Sequence, residues 1–189
     1  GKTTFLKTAA GFLPPVSGEY QIGNQVTIGY FDQNSAQIQS EKTVLEHFHE
    51  LFPSMTEKDV RQTLGAYLFG GKDAAKKVSS LSGGEKSRLV LAELLQSRPN
   101  FLILDEHTAA LDPKTAELIM ELTDKIVREK HLTTIMVTHN LRYAVEYGNR
   151  LVMMHNGHMI LDKKGKEKED MAIDDILTLF NKISIECGN

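Results

Sequence analysis

The sequence predicts an α/β fold: a mostly parallel sheet flanked by helices, with a helical subdomain set apart from the sheet core. Three observations between Ser79 and Asp112 carry that expectation. In Leu81-Ser82-Gly83-Gly84-Glu85, Ser82 and Glu85 stand at the S-x-x-E spacing of a capping box, so a helix begins there. Gly83 and Gly84 put no Cβ between backbone and ligand, and a helix start with free N–H groups is an anion site. Next, Phe101 to Leu104 is an unbroken apolar run. It reads as a strand buried on both faces, hence a parallel sheet covered on both sides. Asp105 and Glu106 follow at the carboxyl end of that strand, where open α/β sheets bind ligands. Finally, Ala110-Leu111-Asp112-Pro113 is a turn into another helix, with Asp112 as N-cap and Pro113 at the first position.

Taken in order, the chain opens on Gly1-Lys2-Thr3-Thr4, the form of the end of a G-x-x-x-x-G-K-[ST] phosphate loop. In such a loop Lys2 reaches the β- and γ-phosphates and the Thr3 hydroxyl holds Mg²⁺. The strand before that loop and most of its glycines are expected to be missing, so the chain is read as truncated within its own nucleotide site. Phe5 to Ala10 continues as a helix, with Gly11 as its C-cap candidate. Pro14-Pro15 and Ser17-Gly18 mark a loop. Glu19 to Ile22 and Gln25 to Phe31 read as two strands around a Gly23-Asn24 turn, with Val26, Ile28 and Tyr30 alternating. Gln33 lies just beyond.

Residues 34–78 are polar and helical. Thr43-Val44-Leu45-Glu46 is a second capping box, and Pro53 ends its helix. Thr56 starts another, with Val60, Leu64, Tyr67 and Leu68 at helical spacing and Gly70-Gly71 as its break. From about Gly84 to Gln96 runs the helix opened by Ser82, with Leu89, Val90, Leu94 and Leu95 as its apolar face. A helix from Pro113 to Glu129 buries Leu118, Ile119, Leu122 and Ile126. Thr133 to Thr138 is a further buried strand, ending at His139-Asn140. Asn156-Gly157 between apolar runs is a hairpin signal. Lys163 to Asp170 reads as a solvated linker, and Asp174 to Ile183 as a closing amphipathic helix with Ile176, Leu177 and Phe180 inward.

Composition narrows the function classes. The chain of 189 residues has a formal net charge of -3, which leaves no basic footprint for nucleic acid. The single cysteine, Cys187, cannot form an intrachain disulfide and suits a reducing cytosol. No apolar run approaches the ~20 residues that span a bilayer, and no signal peptide is expected. His47 and His49, or His155 and His158, lack the helical spacing of a zinc site.

Together these motifs resemble those of the ATP-binding cassette (ABC) ATPases, over essentially the whole chain. Leu81 to Glu85 is similar to the family's signature, Phe101 to Glu106 to its Walker B strand with catalytic glutamate, and Ala110 to Asp112 to its D-loop. The resemblance implies a P-loop NTPase fold of ABC type over residues 1–189. Its core would be 1–33 and 79–162, its helical subdomain 34–78, and 163–189 a C-terminal linker and helix. It implies ATP and Mg²⁺ as ligands. Gly1, Lys2, Thr3 and Thr4 would bind the phosphates, Thr3 and Gln33 would serve the metal, which Asp105 would hold through water, and Glu106 would polarise the attacking water, which Gln33 would also contact. His139 would contact the γ-phosphate. Ser82, Gly83, Gly84 and Glu85 would bind the ATP of a second cassette in a head-to-tail dimer, and Asp112 would cross that interface.

The two halves resemble different branches. Residues 1 to about 104 are similar to the ABC-F translation factors, which normally continue with a proline where this chain has His107. The remainder is similar to the ATPase subunit of a bacterial transporter. A chimera and a divergent single lineage both account for this seam. Two functions stay open: a cytoplasmic ATPase docked on a membrane permease, peripheral to the inner face of the membrane, or a ribosome-associated ATPase. An inactive fragment is the third reading.

Overall fold

A computed structural model describes residues 1–32, 37–109 and 111–186, with side chains through residue 179. Residues Lys2–Val137 form one compact unit, and Thr138 onward with Gly1 a second.

The first unit is built on a three-stranded parallel sheet in the order β1 (Ile28–Phe31), β2 (Phe101–Asp105), β3 (Thr133–Val137). Ile28 pairs with Phe101 and Phe31 with Leu104; on the other side Phe101 pairs with Thr133 and Asp105 with Val137. The apolar run behaves as expected: β2 is central, and Leu102, Ile103 and Leu104 are each 0% exposed. β3 does not match its expectation as a buried strand. It has a neighbour on one side only within this sheet, and Ile135 is 37% exposed.

Helix α1 (Lys2–Ala9) packs against β2 through this face of the unit, with Leu6 buried. The chain then turns at Gly11, whose φ of +82 needs a residue without Cβ. The strand expected over Glu19 to Ile22 does not form. Gly23 accepts a hydrogen bond from Val26 in a turn, but β1 begins only at Ile28. Ahead of it the Asn100 side chain takes the backbone's place as partner: its Nδ2 donates to Gln25 O, and its Oδ1 accepts from Thr27 N. The alternation in β1 is real but in the opposite phase. Gly29 and Phe31 are buried, whereas Ile28 and Tyr30 are half-buried. Gly29 is buried because Pro99 and Leu94 press on it; a Cβ there would lie 2.9 Å from Pro99 Cγ.

The helical region follows its capping signals. α2 (Val44–Leu51) has the complete Thr43–Glu46 capping box, and α3 (Glu57–Ala66) is capped by Thr56. α3 stops before the glycines. Leu68 takes φ +67, its N–H bonds Gly65 O, and Phe69 N–H bonds Leu64 O, which is the paired closure of a Schellman end. Leu68 is therefore exposed and Phe69 takes the buried place expected for it. α4 (Gly83–Gln96) buries Leu89, Leu91, Ala92 and Leu95, so Leu91 joins the face while Val90 and Leu94 sit at its margin. α5 (Pro113–Glu129) buries Ile119, Met120 and Ile126; Leu118 is exposed. One apolar cluster runs from Val44 and Phe48 through Leu89 and Leu91 to Phe31 and Leu102, joining the helices to the sheet.

The second unit contains α6 (Leu141–Glu146), the antiparallel pair β4 (Arg150–His155) and β5 (His158–Lys164), α7 (Lys166–Glu169) and α8 (Ile173–Glu186). Asn156 and Gly157 both have positive φ, the conformation of the two-residue hairpin turn. The segment read as a solvated linker is structured. Lys168 is 3% exposed, and its ammonium donates to the carbonyls of Val145 and Tyr147, which tie α7 to the end of α6. In α8 Ile176 is buried and Leu177 exposed; the side chain of Phe180 lies outside the described residues.

Candidate functional site

The carboxyl end of β2 gathers the strongest chemistry. Asp105 is 4% exposed, and its Oδ1 has no hydrogen-bond partner among the described residues. A carboxylate oxygen buried without a partner costs about 1–3 kcal/mol or more. That cost is removed by a cation, so the residue fits a Mg²⁺ ligand. Among the described residues no group of three His, Cys, Asp or Glu could hold a metal by itself. Mg²⁺ suits such a place, since it is bound by one or two carboxylates with substrate phosphates and water. Glu106 follows with φ +53, in the left-handed region. Its N–H continues the ladder to Val137 O, and its carbonyl accepts from Ala109 N–H. Ladder and turn together hold a backbone conformation that costs ~1–3 kcal/mol in a residue with a side chain.

Tyr30, on the neighbouring strand, reaches the same carboxylate: its hydroxyl donates to Asp105 Oδ2 at 3.5 Å. Burial first, then the charges of Asp105 and Asp32, push the phenol up to about 12, so it remains a neutral donor. Asp32 pairs with Lys7 of α1 at 3.5 Å. The ion pair ties the helix that opens with Lys2, Thr3 and Thr4 to the end of β1. Lys2, Thr3 and Thr4 are exposed in the first turn of α1, the helix that packs on β2. Gln33 lies outside the described residues. Gly1 and His139 belong to the second unit. There His139 is exposed beside Asn140, which caps α6 by accepting from the N–H groups of Arg142 and Tyr143.

Ser82, Gly83 and Gly84 open α4, with Ser82 and Gly83 exposed. The capping box is complete: Ser82 Oγ accepts from Glu85 N, and Glu85 Oε2 accepts from Ser82 N. Burial of Glu85 opposes its charge, but hydrogen bonds from Lys76 and Ser82 outweigh that and hold its carboxyl at about 2. Lys76 spans Asp73 and Glu85 at 2.8 Å to each, so the preceding helical loop is tied to the cap. Asp112 caps α5 by accepting from Thr115 N, and hydrogen bonds from Thr115, side chain first, lower its carboxyl.

The two glycines differ in role. Around a Cβ on Gly83 nothing lies within 4 Å, which leaves the approach to its backbone open. A Cβ on Gly84 would meet Thr115 Cγ2 at 2.7 Å. Gly84 thus serves the contact between the starts of α4 and α5, bringing Ser82 and Asp112 to one region. Gly84→Ala is expected to destabilise the fold by about 1–3 kcal/mol, as overpacking does. Thr115→Ala should recover most of that in the double variant, and Gly83→Ala should cost little; urea midpoints of the four proteins check this.

Sequence reasoning passed over Tyr30 and His107 as site neighbours. His107 is 4% exposed, its Nε2 has no hydrogen-bond partner among the described residues, and its ring meets Phe31 edge-on at 6.0 Å. Burial pushes its imidazole down to about 4. The one available signal was a histidine standing directly after two carboxylates where the resembling branch has proline.

The family model described as "ABC transporter" matches residues 1–109. The chain is 38% identical over 208 residues to the tyrosine transport ATP-binding protein of Clostridioides difficile (strain R20291), covering 95% of this chain and 81% of that one. It is 32% identical over 216 residues to the energy-coupling factor transporter ATP-binding protein EcfA2 of Bacillus thuringiensis (strain Al Hakam), covering 98% of this chain and 73% of that one. Among solved structures, the dimeric post-hydrolysis state of the ATP-binding cassette MJ0796 bound to ADP and Pi matches with a TM-score of 0.71 at 27% identity. That match covers 87% of this chain and 80% of the other.

Proposed function

Since the chain belongs to the ABC transporter ATPase family, we propose that it is the ATP-hydrolysing subunit of a membrane transporter, acting as one half of a head-to-tail dimer. The observation that carries this reading is Asp105, a buried carboxylate with one unpartnered oxygen at the end of the central strand, followed directly by Glu106. No described helix is long and apolar enough to cross a membrane. In this reading the chain docks on the cytoplasmic side of a permease subunit.

Within that reading Lys2 and the backbone of Gly1 to Thr4 hold the phosphates of ATP. Mg²⁺, bound by Asp105, Thr3 and Gln33, supplies neutralisation of phosphate charge. Glu106 accepts the proton of the attacking water, and His139 contacts the γ-phosphate. The open approach at Gly83, with the Ser82 hydroxyl beside it, suits the γ-phosphate of the partner's ATP, and Asp112 stands beside them to cross the interface. An alignment covering 95% of the chain with one transporter protein supports a single lineage across the seam near residue 104. The relatives described above give the ribosomal alternative no support.

Two measurements test the proposal. The tagged protein should co-purify with a polytopic membrane protein from solubilised membranes; co-sedimentation with ribosomes instead would overturn it. Ser82→Arg should abolish ATP-dependent dimerisation by light scattering and lower turnover at least about tenfold in a protein that remains folded, the lost helix cap costing only about 0.5–2 kcal/mol. Intact dimerisation and turnover would reduce Ser82 to a helix cap.

A further inference from the structure

The geometry assigns Tyr30 as a positioning residue for Asp105, one that fixes which carboxylate oxygen faces the Mg²⁺ of the bound nucleotide. Asp105 sits on the central strand and Tyr30 on the adjacent one, at a register set by the pairing of Tyr30 with Ile103. The Tyr30 hydroxyl donates to Asp105 Oδ2, while Oδ1 is left without a partner in a residue that is 4% exposed. A carboxylate held by one oxygen cannot rotate without losing that bond, so Oδ1 is presented in one orientation before any ligand arrives. Pre-organisation of this kind raises affinity by removing an ordering cost, not by adding a contact to the ligand.

The Tyr30 ring is itself held. Phe12 meets it edge-on, with centroids 5.2 Å apart and planes at 89°. Two residues beyond Tyr30, Asp32 is anchored to Lys7 of α1. The three segments read as supplying the nucleotide site, namely the helix that opens with Lys2–Thr4, the end of β1 and the end of β2, are therefore joined by the Lys7–Asp32 and Tyr30–Asp105 contacts. Tyr30 touches neither nucleotide nor reacting atoms in this account; it acts through Asp105.

The inference rests on the reading of Asp105 as the Mg²⁺ ligand, and the test separates the two. Binding of a fluorescent ATP analogue is titrated with Mg²⁺, and in parallel without metal in EDTA, for the wild type, Tyr30→Phe and Asp105→Asn. Tyr30→Phe keeps the ring and removes only the hydroxyl. It is expected to raise the Mg²⁺ concentration at half-saturation about two- to tenfold, the range for a hydrogen bond of ordinary net strength, as its length of 3.5 Å implies, and to leave metal-free binding unchanged. Asp105→Asn should raise it further. A shift for Asp105→Asn with none for Tyr30→Phe would overturn the role of Tyr30 and leave the ligand in place. No shift in either variant would overturn both. Equal weakening of metal-free and Mg²⁺-dependent binding in Tyr30→Phe would make the residue a structural one and also overturn the inference.

Discussion

Glu106→Gln is expected to lower kcat by about 10²–10⁴-fold, the range for a lost general base, with ATP affinity changed less than about threefold. The amide has the shape of the carboxylate but cannot take the proton of an attacking water. The substitution should be silent for the fold, because the position of residue 106 is set by its backbone: the N–H bonded to Val137 O, the carbonyl bonded to Ala109 N–H, and φ at +53. Single-turnover hydrolysis and nucleotide binding, measured on the same preparations, separate the two effects. Turnover near that of the wild type would remove Glu106 from the role of base.

Acid sensitivity of the fold is expected to depend on His107. Its folded imidazole is held at about 4 against an ordinary value of 6.5. Above 6.5 both folded and unfolded states are neutral there and the residue is indifferent to pH. Between 6.5 and 4 the unfolded chain binds a proton that the folded chain refuses, so stability falls as pH falls, by up to ~1.4 kcal/mol per unit. Glu93 acts with the opposite sign. Burial raises its carboxyl to about 7 from 4.5, so ionisation in the unfolded chain penalises folding above 4.5, and the penalty fades as pH falls from 7. Its Oε1 lies 3.0 Å from His47 Nε2, yet without the angle of a hydrogen bond, which leaves burial as the dominant influence.

The two groups act against each other between 6.5 and 4.5, and burial of His47, whose imidazole is also lowered, adds to the side of His107. Relative to the wild type, His107→Phe, which keeps a ring against Phe31, should gain about 2–3 kcal/mol on going from pH 6.5 to 4.5. Urea unfolding at both pH values decides it; parallel behaviour of the two proteins would show that the imidazole is not buried in neutral form.

Local signals were legible and tertiary ones were not. Thr43, Ser82 and Asp112 cap helices as their spacing required, because a cap is satisfied within three residues of itself. The central place of β2 was readable from Phe101–Leu104, since burial on both faces leaves no polar position in the strand. The exposure of β3 was not, because Ile135, Met136 and Val137 also make an apolar run and only the strand order puts it beside a single partner. The strand expected over Glu19 to Ile22 failed for a related reason: a strand needs a second strand, and sequence does not say whether one arrives. Lys168 looked like one charge in a mixed run. What buries it are two carbonyls more than twenty positions earlier. In the proposed site, the motif residues were assigned through the family resemblance, whereas Tyr30 and His107 come into view only through their neighbours on another strand.

The bridge made by Asn100 carries a consequence for how the chain is made. Asn100 meets Thr27 across 73 positions of sequence. At a synthesis rate of ~5–20 residues per second, Thr27 precedes its partner by roughly 4–15 seconds. In that interval α2, α3 and α4 are completed from contacts close in sequence, while the segment destined for β1 has nothing to pair with. When Asn100 emerges it can catch the backbone on either side of Val26, and β1 can pair once β2 has followed directly behind it. β3 is made later still, so the edge that bears Asp105 and Glu106 is expected to be assembled only after the helical half is in place to receive it.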